Sequence, residues 1–235
     1  MLLLNKIMIC LYILFAILFM KTVNANTDKL PIEAFGKLPQ SQQVKLSPDG
    51  NKIAFISNID GSTRIGVSDL KKSKTKYLLI TDNQKFKIGW YLWANNDMLL
   101  VSADYPVQRG ILKFKEARLL KVKVDGTERF ESIIKLKRNE NSPQFQNTII
   151  DILPDEPNYI LMALDLKVPN MPDVYKIDLR NNRKRKRIYK GKSNINHWMT
   201  DRQHKLRLGF GRDETKIFYR LFDIKNRISF PRKVP

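Results

Sequence analysis

The chain has 235 residues and a net charge of +20, from 43 lysine and arginine residues against 23 aspartate and glutamate residues. This length suits one large all-β domain or two small domains. The single cysteine, Cys10, lies near the N-terminus. A disulfide-stapled fold and a thiolate metal site are therefore excluded for the rest of the chain, whose stability must come from a buried apolar core.

The N-terminal segment has the pattern of a secretory signal peptide. Lys6 precedes fourteen uncharged apolar residues at 7–20, and Lys21 leads into Val-Asn-Ala at 23–25. A basic start, a short apolar run and small residues before the cleavage point are typical of such signals. We predict a signal peptide at residues 1–25 and an exported mature chain, periplasmic or secreted. The alternative is an inner-membrane anchor at residues 7–20, although a span usually needs about 20 apolar residues.

The positive charge persists after the signal peptide, because cleavage removes only two lysines and leaves +18. Such a charge favours an anionic partner, such as nucleic acid, lipid head groups or an acidic polymer. The alternative is compositional bias, because lysine, asparagine and isoleucine are abundant together and the basic residues are dispersed. Dispersed charge is not a nucleic-acid footprint. We expect no nucleic-acid partner, and contact with a membrane only through an uncleaved signal segment.

Short strands and turn signals follow a lead-in segment predicted at residues 26–43. Ser-Pro-Asp-Gly at 47–50 predicts a tight turn, because Pro48 fixes φ, Asp49 can accept a hydrogen bond from the backbone and Gly50 tolerates positive φ. Predicted strands flank and follow this turn at 44–46, 52–57, 63–69 and 76–81. These four strands form a unit of about 40 residues, the size of a propeller blade.

The same order of strands and turns recurs three more times, the last time in part. The second unit contains a predicted loop at 105–114 and a hairpin turn at Asp125 and Gly126. Glycine-rich residues 209–213, in the last unit, are predicted to form a turn. The remaining predicted strands are 86–93, 98–103, 117–124, 130–136, 148–153, 159–164, 172–179, 185–189, 197–201, 205–210 and 216–221. The sequence therefore predicts an all-β chain: a partial β-propeller of about four to five four-stranded antiparallel blades at 44–235.

Two clusters of residues have a structural and a functional interpretation. The basic run at 183–187 could bind phosphate or lipopolysaccharide, but it falls on a predicted outermost strand, where charge prevents sheet-to-sheet pairing. The aromatic residues Trp90, Tyr91 and Trp93 could stack on bases or sugars. Packing between blades is the commoner role of such residues. We favour the structural interpretation of both clusters.

No catalytic or metal-binding motif is found in the sequence. Gly191 and Ser193 lack the second glycine and the strand–turn–helix context of a nucleophile elbow. His197 and His204 stand seven residues apart without a cysteine ligand, so a zinc site is not expected, and His197 is predicted to be packed or on the surface. We predict no catalytic, cofactor-binding or metal-binding residue and no cofactor.

Several segments together resemble the N-terminal propeller of exported bacterial peptidases of the prolyl oligopeptidase family. The resemblance covers nearly all of the chain after the signal peptide. It is carried by residues 30–35, 38–40, 44–50, 81–83, 88–90, 93–97, 118–120, 125–127, 200–203 and 207–209. The Ser-Pro-Asp-Gly turn alone is less specific, because it also occurs in other propellers, including those of TolB-like proteins.

The resemblance implies a propeller that gates access to an α/β-hydrolase domain carrying serine, aspartate and histidine. No residue here matches those catalytic positions, and the sequence stops at Pro235. We therefore expect a truncated, non-catalytic gating propeller that is inactive alone, either a gene remnant or half of a split enzyme whose hydrolase domain is encoded separately. The alternatives are a stand-alone TolB-like envelope interaction module and a binder of anionic polymer.

Overall fold

The computed structural model describes residue 36 and residues 39–127 and 129–221 of the chain. The predicted signal peptide lies outside these residues, as does most of the predicted lead-in. The first strand begins at Ser41, three residues before the predicted start of the propeller at Val44. Within the described part of the chain, no helix has the length and hydrophobicity needed to cross a membrane.

Strands account for most of the described residues, and turns or short loops connect them. In chain order they are β1 (Ser41–Leu46), β2 (Lys52–Ile59), β3 (Ser62–Asp69), β4 (Lys74–Thr81), β5 (Lys87–Asn95), β6 (Met98–Arg109), β7 (Leu112–Lys123), β8 (Glu131–Ser132), β9 (Phe145–Gln146), β10 (Ile149–Ile152), β11 (Tyr159–Leu164), β12 (Asp173–Asp178), β13 (Arg185–Tyr189), β14 (His197–Thr200), β15 (Leu206–Asp213) and β16 (Lys216–Leu221).

Four sheets follow one another along the chain. Strands β1 to β4 form blade 1, β5 to β8 form blade 2 with β9 alongside β7, β10 to β13 form blade 3, and β14 to β16 form blade 4. Consecutive strands within each blade pair antiparallel. This architecture is a partial β-propeller, which confirms the predicted all-β fold class.

The core lies between the blades, because each central strand alternates its side chains between two neighbours. Leu99 and Val101 of β6 join a buried cluster with Ala54 and Ile56 of blade 1. Leu100, between them in sequence, joins a second cluster with residues of blade 3. A third cluster lies between blades 3 and 4. Each blade therefore depends on its neighbours for burial of its apolar faces.

The Tyr91 side chain of blade 2 forms hydrogen bonds to blade 1. It is fully buried, and its hydroxyl lies against the carbonyl oxygens of Gln43 and, at 2.6 Å, Ala54. Trp93 donates from its indole Nε1 to the carbonyl oxygen of Lys45 at 3.2 Å. The prediction that these aromatic residues pack between blades is confirmed. Burial raises the pKa of Tyr91 to about 12.

We expect the Tyr91→Phe variant to lose about 1–3 kcal/mol of unfolding free energy, because the buried carbonyl oxygen of Ala54 loses its side-chain donor. Because the pKa of Tyr91 is raised in the folded state, the stability of the fold also depends on pH at alkaline values. The stabilisation by the neutral Tyr91 side chain is complete below the unfolded pKa of about 10 and is lost as the pH rises through the folded pKa. Urea unfolding measures the first effect, and tyrosinate absorbance with the unfolding transition at high pH measures the second. Tyr77→Phe is the control, since Tyr77 is 43% exposed; an equal loss in both variants would contradict the assignment.

The prediction of a loop at 105–114 is wrong, because these residues form a hairpin. Strands β6 and β7 pair continuously from Met98↔Lys123 to Arg109↔Leu112. Strand β5 ends its pairing at Asp104, so Pro106 lies where β6 has a partner on one side only. Proline is tolerated at such an edge, where its missing N–H costs no ladder bond.

The strand predicted at 130–136 is also largely wrong. Only Glu131 and Ser132 pair with β7, and the chain then leaves blade 2. Its backbone bonds to blade 3, through Lys135 N to Asn182 O at 2.9 Å. It returns as β9, which pairs parallel to β7. Burial of Ile133 and Ile134 in the cluster between blades 2 and 3 favours this crossing.

The turn predicted at 209–213 is a third error, because these residues lie inside β15. The glycines permit close approach instead of a turn. A Cβ atom on Gly209 would lie 2.4 Å from the Trp198 ring, and one on Gly211 would lie 2.0 Å from the carbonyl oxygen of Asn194. Both glycines let blade 4 pack tightly on neighbouring residues.

Candidate functional site

Two opposite ends of the blades carry different connections, because antiparallel strands alternate direction. The connections after the first and third strands of each blade share one end, which we call the aspartate-turn face. It includes the turns that begin at Asp49, Asp69, Asp125, Asp178 and Asp201. The turn between β6 and β7 lies at the opposite end. The aspartate-turn face carries the clefts described below and is the candidate functional site.

Each of these five aspartates closes its own turn. Asp125 accepts hydrogen bonds from the Thr127 backbone N–H at 2.9 Å and hydroxyl at 2.7 Å. Asp69 accepts from the backbone N–H groups of Lys71 and Lys72, both at 3.0 Å. Asp178 accepts from the guanidinium of Arg180 and from its backbone N–H. These are Asx-turns, in which a short carboxylate substitutes for a backbone acceptor.

Hydrogen bonding to the carboxylate form lowers the pKa of each of these aspartates below the usual range. The main donor is the Lys72 backbone for Asp69, the Thr127 backbone for Asp125 and the Arg180 side chain for Asp178. A lowered folded pKa stabilises the fold above the unfolded pKa. That stabilisation is lost as the pH falls through the folded value.

We therefore expect the unfolding midpoint in urea to fall as the pH decreases from about 5 to about 2. Asp125→Asn keeps an oxygen acceptor for Thr127 but cannot titrate, so its midpoint should depend less steeply on acid pH. The measurement is a series of urea titrations of both proteins. The control is Asp155→Asn, at an exposed aspartate in the turn between β10 and β11. Equal acid slopes in all three proteins would contradict the role of Asp125.

Two clefts between blades open on the aspartate-turn face, and a third, of about 590 Å³, is lined by blade 3 alone. One, of about 660 Å³, lies between blades 2 and 3 and extends from the Asn95–Met98 turn to Arg180. The other, of about 370 Å³, lies between blades 1 and 2 and is lined by strands β3 and β4. Asp97, Val124 and Asp125 line both, so two turns of blade 2 form the wall between them. These volumes are in the range of small-ligand clefts.

Basic side chains outnumber carboxylates in the clefts, but several of them join blades. Lys52 donates to the Asn96 carbonyl oxygen at 3.2 Å. Lys76 donates to the Asp125 carbonyl oxygen at 3.0 Å. The buried Lys121 donates to the Leu179 carbonyl oxygen at 2.8 Å and pairs with Glu131 at 2.6 Å. Much of the positive charge of this face is therefore used to hold turns of neighbouring blades together.

The two histidines lie in blade 4 and in different environments. His197 is exposed and stacks on the Phe210 ring, with 4.9 Å between ring centroids. His204 Nδ1 lies 3.0 Å from both carboxylate oxygens of Asp151 in blade 3. The described residues contain no group of three or more histidine, cysteine, aspartate or glutamate side chains arranged to bind a metal.

Sequence reasoning missed the contact of His204 with Asp151, which also accepts from the Thr200 hydroxyl at 2.5 Å. The order of these three groups differs from that of a catalytic triad. In a triad the imidazole lies between the hydroxyl and the carboxylate, whereas here the carboxylate lies between the hydroxyl and the imidazole. The Thr200 hydroxyl therefore gains no base from this histidine, and the cluster ties blade 3 to blade 4.

Gly191 and Ser193 lie in the connection between β13 and β14. The Gly191 N–H donates to the buried Asp173 carboxylate at 2.7 Å. A Cβ atom on Gly191 would lie 2.6 Å from the Met171 carbonyl oxygen, so glycine is required here for close packing. This site is a packed connection between strands.

The basic run at 183–187 occupies the turn before β13 and most of β13 itself. This strand is at the edge of its sheet, as predicted. Arg185 is nonetheless buried and forms an ion pair with the equally buried Glu140. Arg187 pairs with Asp173 at 3.3 Å. The run therefore combines exposed edge charges with two structural ion pairs.

No protein-family model matches the sequence, and no curated protein matches it. Several solved structures match the fold of the chain. The chain matches an oligogalacturonate lyase in complex with manganese with a TM-score of 0.50 and 11% identity, covering 79% of this chain and 52% of that one. It matches a putative dipeptidyl aminopeptidase IV from Bacteroides ovatus with a TM-score of 0.52 and 13% identity, covering 79% and 32%. An acylaminoacyl peptidase in complex with Z-Gly-Gly-Phe-chloromethyl ketone gives 0.46, with 16% identity and coverage of 77% and 31%.

The chain thus spans about half of the lyase and about a third of each peptidase. At these identities the likeness concerns the fold. It agrees with the sheet order described above and with the propeller that the sequence resemblance implies. The chain has the fold of a partial β-propeller that is shared with part of a dipeptidyl-aminopeptidase-IV-like protein.

Proposed function

We propose that this chain is a non-catalytic propeller that docks on a separately encoded α/β-hydrolase domain of prolyl-oligopeptidase type and limits which peptides reach it. The segments that resemble this family support the proposal, as does the fold shared with part of a putative dipeptidyl aminopeptidase IV. The signal-like N-terminal segment suggests that the pair acts in the exported compartment. A gating role requires a surface that holds the hydrolase domain.

The observation that carries this proposal is the arm formed by the ends of β6 and β7. Beyond Asp104 these two strands pair with each other and no longer with β5. Two ion pairs join the strands of the arm, with 2.8 Å between Lys115 and Asp104 and 3.1 Å between Arg109 and Glu116. A protruding hairpin with this support is a rigid element of the kind that partners recognise.

The tip of the arm is apolar and exposed. Ile111 is 96% exposed and Leu112 is 66% exposed. Two large adjacent apolar side chains at a protruding tip can fill a hydrophobic pocket of a partner. The tip lies at the end of blade 2 opposite the aspartate-turn face. A hydrolase domain docked there leaves the clefts of that face open to solvent.

The test is capture of the tagged chain from the cells that produce it, treated with a fluorophosphonate probe that labels active serine hydrolases. We expect a labelled protein with a G-x-S-x-G motif to co-elute with the wild-type chain, and the chain itself to remain unlabelled. The complex should cleave short peptide reporters but spare casein. Removal of the chain should relax this size limit.

The double variant Ile111→Glu/Leu112→Glu should lose the labelled protein because a buried charge is costly. Leu70→Glu is the matched control, since Leu70 is 49% exposed in the turn after β3, at the end of the blades opposite the arm. Labelling of the chain itself, absence of any labelled partner, or equal capture by the arm variant would overturn the proposal.

A further inference from the structure

Blades 1 and 4 each expose an apolar face of the kind that the other blades bury. We call the face that a blade turns toward the next blade in the chain its forward face, and the face that it turns toward the preceding blade its backward face. Each interface within the chain joins the forward face of one blade to the backward face of the next. Blade 2 shows both faces: Leu99 packs toward blade 1 and Leu100 packs toward blade 3, and both are fully buried. Among the residues that the structure describes, none covers the backward face of blade 1 or the forward face of blade 4 in this way.

The backward face of blade 1 consists mainly of apolar side chains, and the guanidinium carbon of Arg64 lies 5.5 Å from the centroid of the Tyr77 ring on this face. Phe55, Gly66 and Tyr77 are adjacent on neighbouring strands, and the Phe55 and Tyr77 rings meet edge to face at 6.5 Å. Leu46 and Ile80 flank them. Tyr77, Ile80 and Leu46 are 43%, 55% and 57% exposed. A core interface buries such side chains almost fully.

The forward face of blade 4 is its counterpart. Phe210 pairs with Tyr219, and Leu208 pairs with both Met199 and Leu221. Met199 and Leu221 are 51% and 50% exposed. Trp198, which points the opposite way, is buried against blade 3. The two exposed faces are therefore one forward face and one backward face, which is the combination found in every internal interface.

We propose that two copies of this chain associate through these faces, with blade 4 of each copy packed on blade 1 of the other. The arrangement has two-fold symmetry, because each contact from one copy to its partner is repeated in the reverse direction. The described residues of two copies provide eight blades, which lies within the usual range of four to eight for a closed propeller, whereas those of three copies exceed it. This count selects a dimer over a larger ring or an open filament.

The charge of the chain gives this dimer a distinctive salt response. Two copies of the mature chain, each with the +18 that remains after the predicted cleavage, repel one another. The contact faces are mainly apolar, so screening weakens the repulsion without weakening the contact. Association should therefore strengthen as salt is added, whereas association through opposite charges would weaken.

Light scattering coupled to size exclusion tests the proposal on the purified chain at tens of micromolar. We expect a mass about twice that of the monomer. Ile80→Glu, on blade 1, and Met199→Glu, on blade 4, should each raise the dissociation constant by about tenfold or more, because the contact would bury an unpaired carboxylate. Ile111→Glu is the control and should leave the dimer intact, since Ile111 lies on the arm.

A mixture of the two end-face variants separates this arrangement from other dimers. The Ile80→Glu chain keeps an unaltered blade 4, and the Met199→Glu chain keeps an unaltered blade 1. A dimer of one chain of each variant therefore has one interface without a substitution. Mixing should restore part of the dimer that each variant loses alone. A monomeric wild-type chain, a dimer that survives either single variant, or no recovery on mixing would overturn the proposal. Circular dichroism of each variant checks that the fold is retained.

Discussion

The Glu140→Gln variant should lose about 3–5 kcal/mol of unfolding free energy, because it leaves a buried guanidinium without a counter-charge. Glu140 lies in the segment that crosses from blade 2 to blade 3, and Arg185 lies on β13. Their side chains are only 5% and 3% exposed. Glutamine retains an oxygen that can accept the bond that Glu140 receives from the Lys137 N–H at 2.8 Å. The loss therefore measures the missing charge.

The matched variant replaces both partners, as Arg185→Met/Glu140→Met. It should be much closer to the wild type than Glu140→Gln, because no unpaired charge remains in the interior. Urea unfolding of the wild type, Arg185→Met, Glu140→Met and the double variant gives the coupling energy between the two residues. A loss of less than about 1 kcal/mol in Glu140→Gln would contradict the burial of this pair and place it among surface ion pairs.

The second large effect is expected for Gly211→Ala in β15. The added Cβ atom would lie 2.0 Å from the carbonyl oxygen and 2.8 Å from the carbonyl carbon of Asn194. Both atoms belong to the backbone, so no side-chain rotation can relieve the overlap. We expect a loss of about 3 kcal/mol, at the upper end of the usual range for overpacking. Blade 4 must move away from the connection that precedes β14.

Gly89→Ala is the matched control for this variant. Gly89 also lies in a strand, but the nearest atom to an added Cβ is 3.6 Å away, which is ordinary van der Waals contact. Replacement there should change stability little, because alanine restricts the unfolded chain without creating a clash. The unfolding midpoints of the two variants provide the comparison. Equal midpoints would show that β15 does not require glycine at 211.

Local signals in the sequence were sufficient where a strand or turn depends on its own residues. The Ser-Pro-Asp-Gly turn forms as predicted, with Gly50 at φ 71° and Ser47 donating to Asp49 at 2.7 Å. The predicted strands at 185–189 and 216–221 coincide with β13 and β16. Alternating apolar residues and turn chemistry determine such elements directly.

The errors occur where distant residues decide the structure. Glycine is needed at 211 because the Asn194 backbone lies so close, and the buried position of Glu140 depends on its ion pair with Arg185. Neither dependence can be seen in the neighbouring sequence. The prediction of a loop at 105–114 failed because the length of the β6–β7 hairpin beyond the end of β5 pairing could not be inferred from the local pattern. The candidate face was only partly predictable. The turn aspartates were visible in the sequence, but the clefts depend on how blades meet.

The chain crossing between blades 2 and 3 has a consequence for folding cooperativity. Repeat proteins commonly unfold as a row of nearly independent units joined by nearest-neighbour contacts. Here the segment that leaves blade 2 after β8 bonds to Asn182 and Leu166 of blade 3 before it returns as β9. Neither blade can open without releasing backbone bonds of the other. Blades 2 and 3 therefore form one cooperative unit, and blades 1 and 4 are the parts of the propeller that can open first.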